Sequence, residues 1–123
     1  MSVTINGRRE TMEEEKQLAI EMWEFVRVCQ IELCIEDDSL SLKRKFISMK
    51  LKCGIDIKWH NDCFLCNYCA ACLDCPLYKI GDNEYCSGDD SPFDITMHPN
   101  DYQYYQIDVA ISKIIEAIKE FNI

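Results

Sequence analysis

Apolar residues recur at three- and four-residue steps in two long stretches of the chain. Leu18, Met22, Phe25 or Val26, Cys29 and Leu33 line one face and predict a helix over 12–34. Thr11 followed by Glu14 reads as a capping box. Glu13, Glu14 and Glu15 fill the first turn, where carboxylates complement the helix dipole. Met22, Trp23 and Phe25 read as core. Cys29 and Cys34 fall on or near the same face and read as small buried hydrophobes. The second stretch is Tyr104, Ile107, Ile111, Ile114, Ile118 and Phe121, with Asn100 and Gln103 as a capping-box variant ahead of it. It predicts a helix over 100–121 with a heptad seam. The seam is too short for a free coiled coil. Packing on the first helix is expected, and a dimer seam is the alternative.

Between these stretches the period changes. Glu36-Asp37-Asp38-Ser39 breaks the first helix. Ser39 or Ser41 is expected to cap a shorter helix over 41–52, with Leu42, Phe46, Met49 and Cys53 turned inward. Gly54 would end it in a left-handed turn. Ile55-Asp56-Ile57-Lys58-Trp59 alternates and predicts a short strand. Residues 1–10 read as a frayed lead-in. Asp89-Asp90-Ser91-Pro92 and Met97-His98-Pro99 read as linkers. Leu77 to Cys86, with Gly81-Asp82-Asn83 at its turn, reads as a hairpin-like loop. The fold class is therefore mainly α: one domain, 1–123, of two long helices packed antiparallel or crossed, a short helix, and an irregular insert over 60–90.

Composition changes this picture in two places. At 123 residues and 48% apolar the chain is long enough for a modest core. A net charge of −9 disfavours a general DNA coat. The exception is the 41–52 helix, where Lys43, Arg44, Lys45, Lys50 and Lys52 precede Lys58. This basic face reads as solvated; a dock for nucleic acid is possible but not favoured. No apolar run has the length of a membrane span, and Met1 to Lys16 holds no signal-peptide core. A cytoplasmic protein with reduced thiols is expected.

The nine cysteines change the picture most. Cys63, Cys66, Cys69, Cys72 and Cys75 recur every third residue, followed by Cys86. Zinc takes four thiolate or imidazole ligands in a closed tetrahedron, and a C-x2-C pair supplies two from one turn. Four of Cys63, Cys66, Cys72, Cys75 and Cys86 are the expected zinc ligands, either as two pairs or with Cys86 replacing Cys72. His60 and His98 are weaker candidates. The rival is a [4Fe–4S] cluster, because Cys66, Cys69, Cys72 and Cys75-Pro76 depart by one residue from a ferredoxin run. No nucleophile–base pair and no phosphate-cradling glycine loop is present in the sequence, so an enzyme is not expected.

Trp23, Asn61-Asp62-Cys63-Phe64-Leu65-Cys66-Asn67-Tyr68, Cys72-Leu73-Asp74-Cys75-Pro76-Leu77, Tyr85-Cys86 and Ser91-Pro92-Phe93 stand in an order that resembles small cysteine-rich bacteriophage proteins. The resemblance covers about residues 18–118 in layout and is specific over 61–93. It marks Cys63, Cys66, Cys72, Cys75 and Cys86, but not Cys69; the tryptophan expected after Phe93 is replaced by Ile95 and Met97. It implies a phage-encoded zinc protein in the cytoplasm of a bacterial host. The expected function is non-enzymatic: occupying a host protein in host takeover or as an anti-defence inhibitor, as a monomer or homodimer. Contact is expected through the acidic faces (Glu13, Glu14, Glu21, Glu24, Glu32) or through Tyr68, Tyr78 and Tyr85.

Overall fold

The computed structural model describes residues 3–5, 12–57 and 91–121. Strand β1 (Val3–Ile5) is followed by helix α1 (Met12–Arg27), which continues into a π-helical turn (Val28–Glu32). Then come α2 (Ser39–Lys52), β2 (Ile55–Ile57), α3 (Pro92–Met97), a 3-10 turn (Pro99–Asp101) and α4 (Tyr104–Glu120). The described residues are mainly helical, as the spacing predicts.

The core is built by α1, α2 and α4. Met22, Trp23 and Val26 of α1 are buried against Ile107, Ile111, Ile114 and Ile118 of α4, with Leu42 and Phe46 from α2 and Ile57 from β2. Ala110, Ile115 and Ala117 are buried too, so the apolar face of α4 is wider than its heptad seam. Tyr104, at the head of the predicted seam, is exposed.

Three polar contacts set the pairing of the long helices. Lys16 Nζ donates to Lys119 O at 3.3 Å, placing a cation at the negative end of α4. Arg27 Nη2 donates to Ser112 Oγ at 2.8 Å, and its Nε lies 3.1 Å from Asp108 Oδ1, paired in charge but out of line for a hydrogen bond. Tyr104 Oη donates to Cys34 Sγ at 3.2 Å. Contacts 16–119, 27–112 and 34–104 run in opposite senses, so α1 and α4 are antiparallel.

The first helix departs from its predicted course at its end. A π-helical turn holds more residues than an α turn and rotates the succeeding residues around the axis. Cys29 keeps its buried place, but Leu33 is 61% exposed and Cys34 is exposed. Cys34 takes φ 53°, a left-handed conformation that disfavours residues with a Cβ. The inward reading of Leu33 and Cys34 is therefore corrected. Thr11, the proposed cap of α1, lies outside the described residues.

Helix α2 is capped by Asp38 rather than by Ser39 or Ser41: its Oδ1 accepts from Ser41 N at 2.8 Å. Ser39 is instead buried. Met49 and Cys53 are exposed, against expectation, because Lys43 and Ser39 take the inner face alongside Leu42 and Phe46. Gly54 does end the helix at φ 91°, the left-handed position its missing Cβ permits. Strand β2 pairs in parallel with β1, Val3 opposite Ile55 and Ile5 opposite Ile57. Part of the predicted lead-in is therefore structured.

The described residues of the two predicted linkers cap or belong to short helical elements, Pro92–Met97 and Pro99–Asp101. Ser91 Oγ accepts from Asp94 N at 3.2 Å and Pro92 occupies the first turn of α3, the cap and first-position residues that favour a helix start. Helix α4 begins at Tyr104, later than expected, with Gln106 Oε1 accepting from Gln103 N at 2.8 Å.

Candidate functional site

The metal ligands expected from the sequence are among Cys63, Cys66, Cys72, Cys75 and Cys86. These residues, with Cys69, His60 and the tyrosines Tyr68, Tyr78 and Tyr85, lie outside the described residues. So does the hairpin-like loop. What the structure does describe is the frame on either side. The chain leaves β2 at Ile57, which is buried, and re-enters at Ser91 and Pro92, which are also buried.

The re-entry helix α3 is tied to the body by polar as well as apolar contacts. Trp23 and Phe93 meet edge to face with centroids 6.5 Å apart. Lys43 is 1% exposed, and its ammonium stands 4.8 Å from the Phe93 centroid and 5.4 Å from that of Trp23. A cation above aromatic faces is attracted by their quadrupoles, most strongly where water is excluded. One residue from each of α1, α2 and α3 thus meets at this point.

A second tie lies near the other end of α3. Gln30 Nε2 donates to Thr96 O at 2.9 Å and to Asp37 O at 3.1 Å, while Gln30 Oε1 is buried with no hydrogen-bond partner among the described residues. Two acceptors facing the amide nitrogen fix which way this side chain points. The Thr96 and Ser39 hydroxyls are 2.9 Å apart, and Thr96 Oγ1 donates to Phe93 O at 2.8 Å. One hydroxyl proton serves one acceptor, so Ser39 supplies the proton between the two hydroxyls.

The cysteines and the histidine among the described residues have separate surroundings. Cys29 is buried, and desolvation pushes its thiol pKa up, partly offset by the Lys45 charge. Cys34 accepts from Tyr104, and Cys53 is exposed at the end of α2. His98 Nδ1 lies 3.2 Å from Asp94 O and 3.3 Å from Asp94 Oδ1. Among the described residues no group of three or more His, Cys, Asp or Glu side chains is arranged to hold a metal ion. No described helix is long and apolar enough to cross a membrane.

The basic face of α2 is not one surface. Lys43 is buried, Lys45 Nζ pairs with Asp37 at 2.9 Å, and Lys50 Nζ pairs with Glu21 at 3.3 Å while lying over Phe46. Of the acidic residues expected to form a contact face, Glu21 and Glu24 are paired with Lys50 and Arg27, and Glu13 lies 4.0 Å from Lys16. Glu15 is buried.

Lys43, Gln30 and Thr96 were not legible as structural centres in the sequence. For Lys43 the available signal is its position: it follows Leu42 and precedes Phe46 by three on the inward side of α2. Comparison with known protein families, with curated proteins and with solved structures gives no match.

Proposed function

We propose that this chain is a non-enzymatic zinc protein of phage type that acts by binding a protein of the bacterial host. Zinc would be held by four of Cys63, Cys66, Cys72, Cys75 and Cys86. The observation that carries the reading is the pair of C-x2-C units followed by Cys86, in a segment whose flanks, Ile57 and Ser91, are buried in a helical frame. Such a segment joins a small core at both ends, and a metal supplies order that the core alone does not. The helices would then act as the rigid body that presents the clamp and its neighbouring surface to a partner.

A [4Fe–4S] redox or sensor protein is the second reading, favoured by the unbroken three-residue recurrence from Cys63 to Cys75 and by Pro76. A nucleic-acid-binding zinc module is weakened by the burial of Lys43 and the pairing of Lys45 and Lys50. Elemental analysis and a visible spectrum on protein purified without oxygen separate the first two. About one zinc per chain and no visible band supports the proposal. About four irons per chain with a broad band near 400 nm overturns it.

A further inference from the structure

Where α1 ends and α4 begins, the described surface carries apolar side chains that the core does not take up. The π-helical turn carries Leu33 outward, 61% exposed. Tyr104 and Tyr105, the first residues of α4, are 53% and 70% exposed. The Tyr104–Cys34 hydrogen bond brings the two helix ends together, so these residues belong to one corner of the molecule. Their exposure is a consequence of local geometry: the π turn rotates Leu33 off the buried face, and α4 begins before its seam meets α1.

The same corner is acidic. Glu32 adjoins Leu33 in the chain, Glu36 is close enough to Tyr104 to help push its hydroxyl pKa up, and Asp101 stands in the turn just before α4. All three are exposed, and among the described residues none of them forms an ion pair. Elsewhere the charges are largely matched: Glu24 with Arg27, Asp37 with Lys45, Glu21 with Lys50. Unmatched carboxylates around exposed tyrosines and a leucine describe a surface with both halves of a recognition site, apolar contact area and a charge of one sign.

We propose that this corner, Leu33, Tyr104 and Tyr105 rimmed by Glu32, Glu36 and Asp101, is the docking surface for a basic amphipathic segment of a partner protein. Charge selects the occupant. Lysines and arginines of such a segment meet the rim while its apolar side chains cover Leu33 and the tyrosine rings. A nucleic-acid backbone is repelled by the same rim. This inference rests on the partner-binding reading above and names the surface and the partner chemistry for it.

The test uses the full chain, loaded with its metal, and a fluorescent amphipathic peptide of leucine and lysine as probe, read by anisotropy over a salt series. The variant E32Q/E36Q/D101N should weaken binding by about tenfold or more and flatten its salt dependence. Leu33→Ser with Tyr105→Ser, both exposed positions, should weaken it without changing the salt slope. The control E14Q/E116Q/E120Q makes the same change in net charge far from the corner and should leave affinity within about twofold. Equal weakening by both charge triples, indifference to the apolar variant, or no binding by the unmodified chain overturns the proposal. So does a dimer in sedimentation that the corner variants dissociate, since a second copy is then the occupant. Zinc analysis on every sample keeps the two readings apart. Zinc-loaded protein whose peptide binding ignores these substitutions overturns the surface alone; zinc-free protein that still binds there overturns the metal reading alone.

Discussion

The ammonium of Lys43 lies 4.8 Å from the ring centroid of Phe93, joining α2 to the helix on which the chain returns from its cysteine-rich segment. Lys43 also faces Trp23 and is almost wholly buried. Replacing it with alanine removes a desolvated cation–aromatic contact and leaves a cavity, and should lower stability by roughly 2–4 kcal/mol. Lys43→Met fills the space without the charge and should recover part of the loss. Urea unfolding of the two variants measures the difference, and a K43A protein as stable as the parent would show that the contact contributes nothing.

The hydroxyl pair Thr96–Ser39 is the second tie on α3. Thr96→Val keeps the shape but strands the Ser39 hydroxyl and Phe93 O, and should destabilise by about 1–3 kcal/mol. Ser39→Ala added to it should cost less than it does in the parent, because the partner is already gone. Additive losses in this double-mutant cycle would mean that the two hydroxyls act independently.

Donation of the Tyr104 hydroxyl to Cys34 Sγ, with smaller contributions from nearby charge, raises the tyrosine pKa above its ordinary value of 10.0. The neutral phenol is the favoured form in the folded state. Its stabilising effect is present below the unfolded pKa, about 10, and is lost as pH rises through the higher folded value. Tyr104→Phe should remove the late-ionising component of a spectrophotometric tyrosine titration. It should also make the fall in stability above about pH 10 shallower. Loss of amplitude near pH 10, with late ionisation unaffected, would contradict the contact.

The three described thiols should separate by reactivity. Cys34 and Cys53 are exposed, whereas Cys29 is buried and its pKa raised chiefly by desolvation. Thiolate is the reactive form, so peptide-resolved alkylation of native protein at pH 8 should modify Cys34 and Cys53 well before Cys29. Lys45→Ala should slow Cys29 further, because the lysine charge favours the thiolate. Early labelling of Cys29 in folded protein would contradict its placement.

The long helices were legible because Met22, Val26 and Cys29 on one, and Ile107, Ile111, Ile114 and Ile118 on the other, keep helical spacing and are buried as that spacing predicts. The same rule misplaced Leu33 and Cys34, because a π turn carries no signature in apolar period and shifts the phase of the residues after it. Ser91-Pro92 holds a cap and a first-turn residue, yet α3 is too short to display a period. Lys43 read as solvated because charge predicts exposure unless a partner is visible, and aromatic partners twenty and fifty positions away in sequence are not visible. For the candidate site, the spacing of Cys63, Cys66, Cys72, Cys75 and Cys86 is legible in the sequence as an expected ligand set, and the structure adds the buried flanks Ile57 and Ser91.

The pairing of Val3–Ile5 with Ile55–Ile57 bears on how the chain assembles during synthesis. Strand β1 is synthesised before its partner β2, which is complete only after α1 and α2 have been made and Gly54 has turned the chain. Closing so long a loop carries an entropic penalty before any ladder bond forms. The two-stranded ribbon should therefore zip late, after α1 and α2 have met. Until then Val3–Ile5 lacks its β2 partner and is an edge open to chaperones and to other strands.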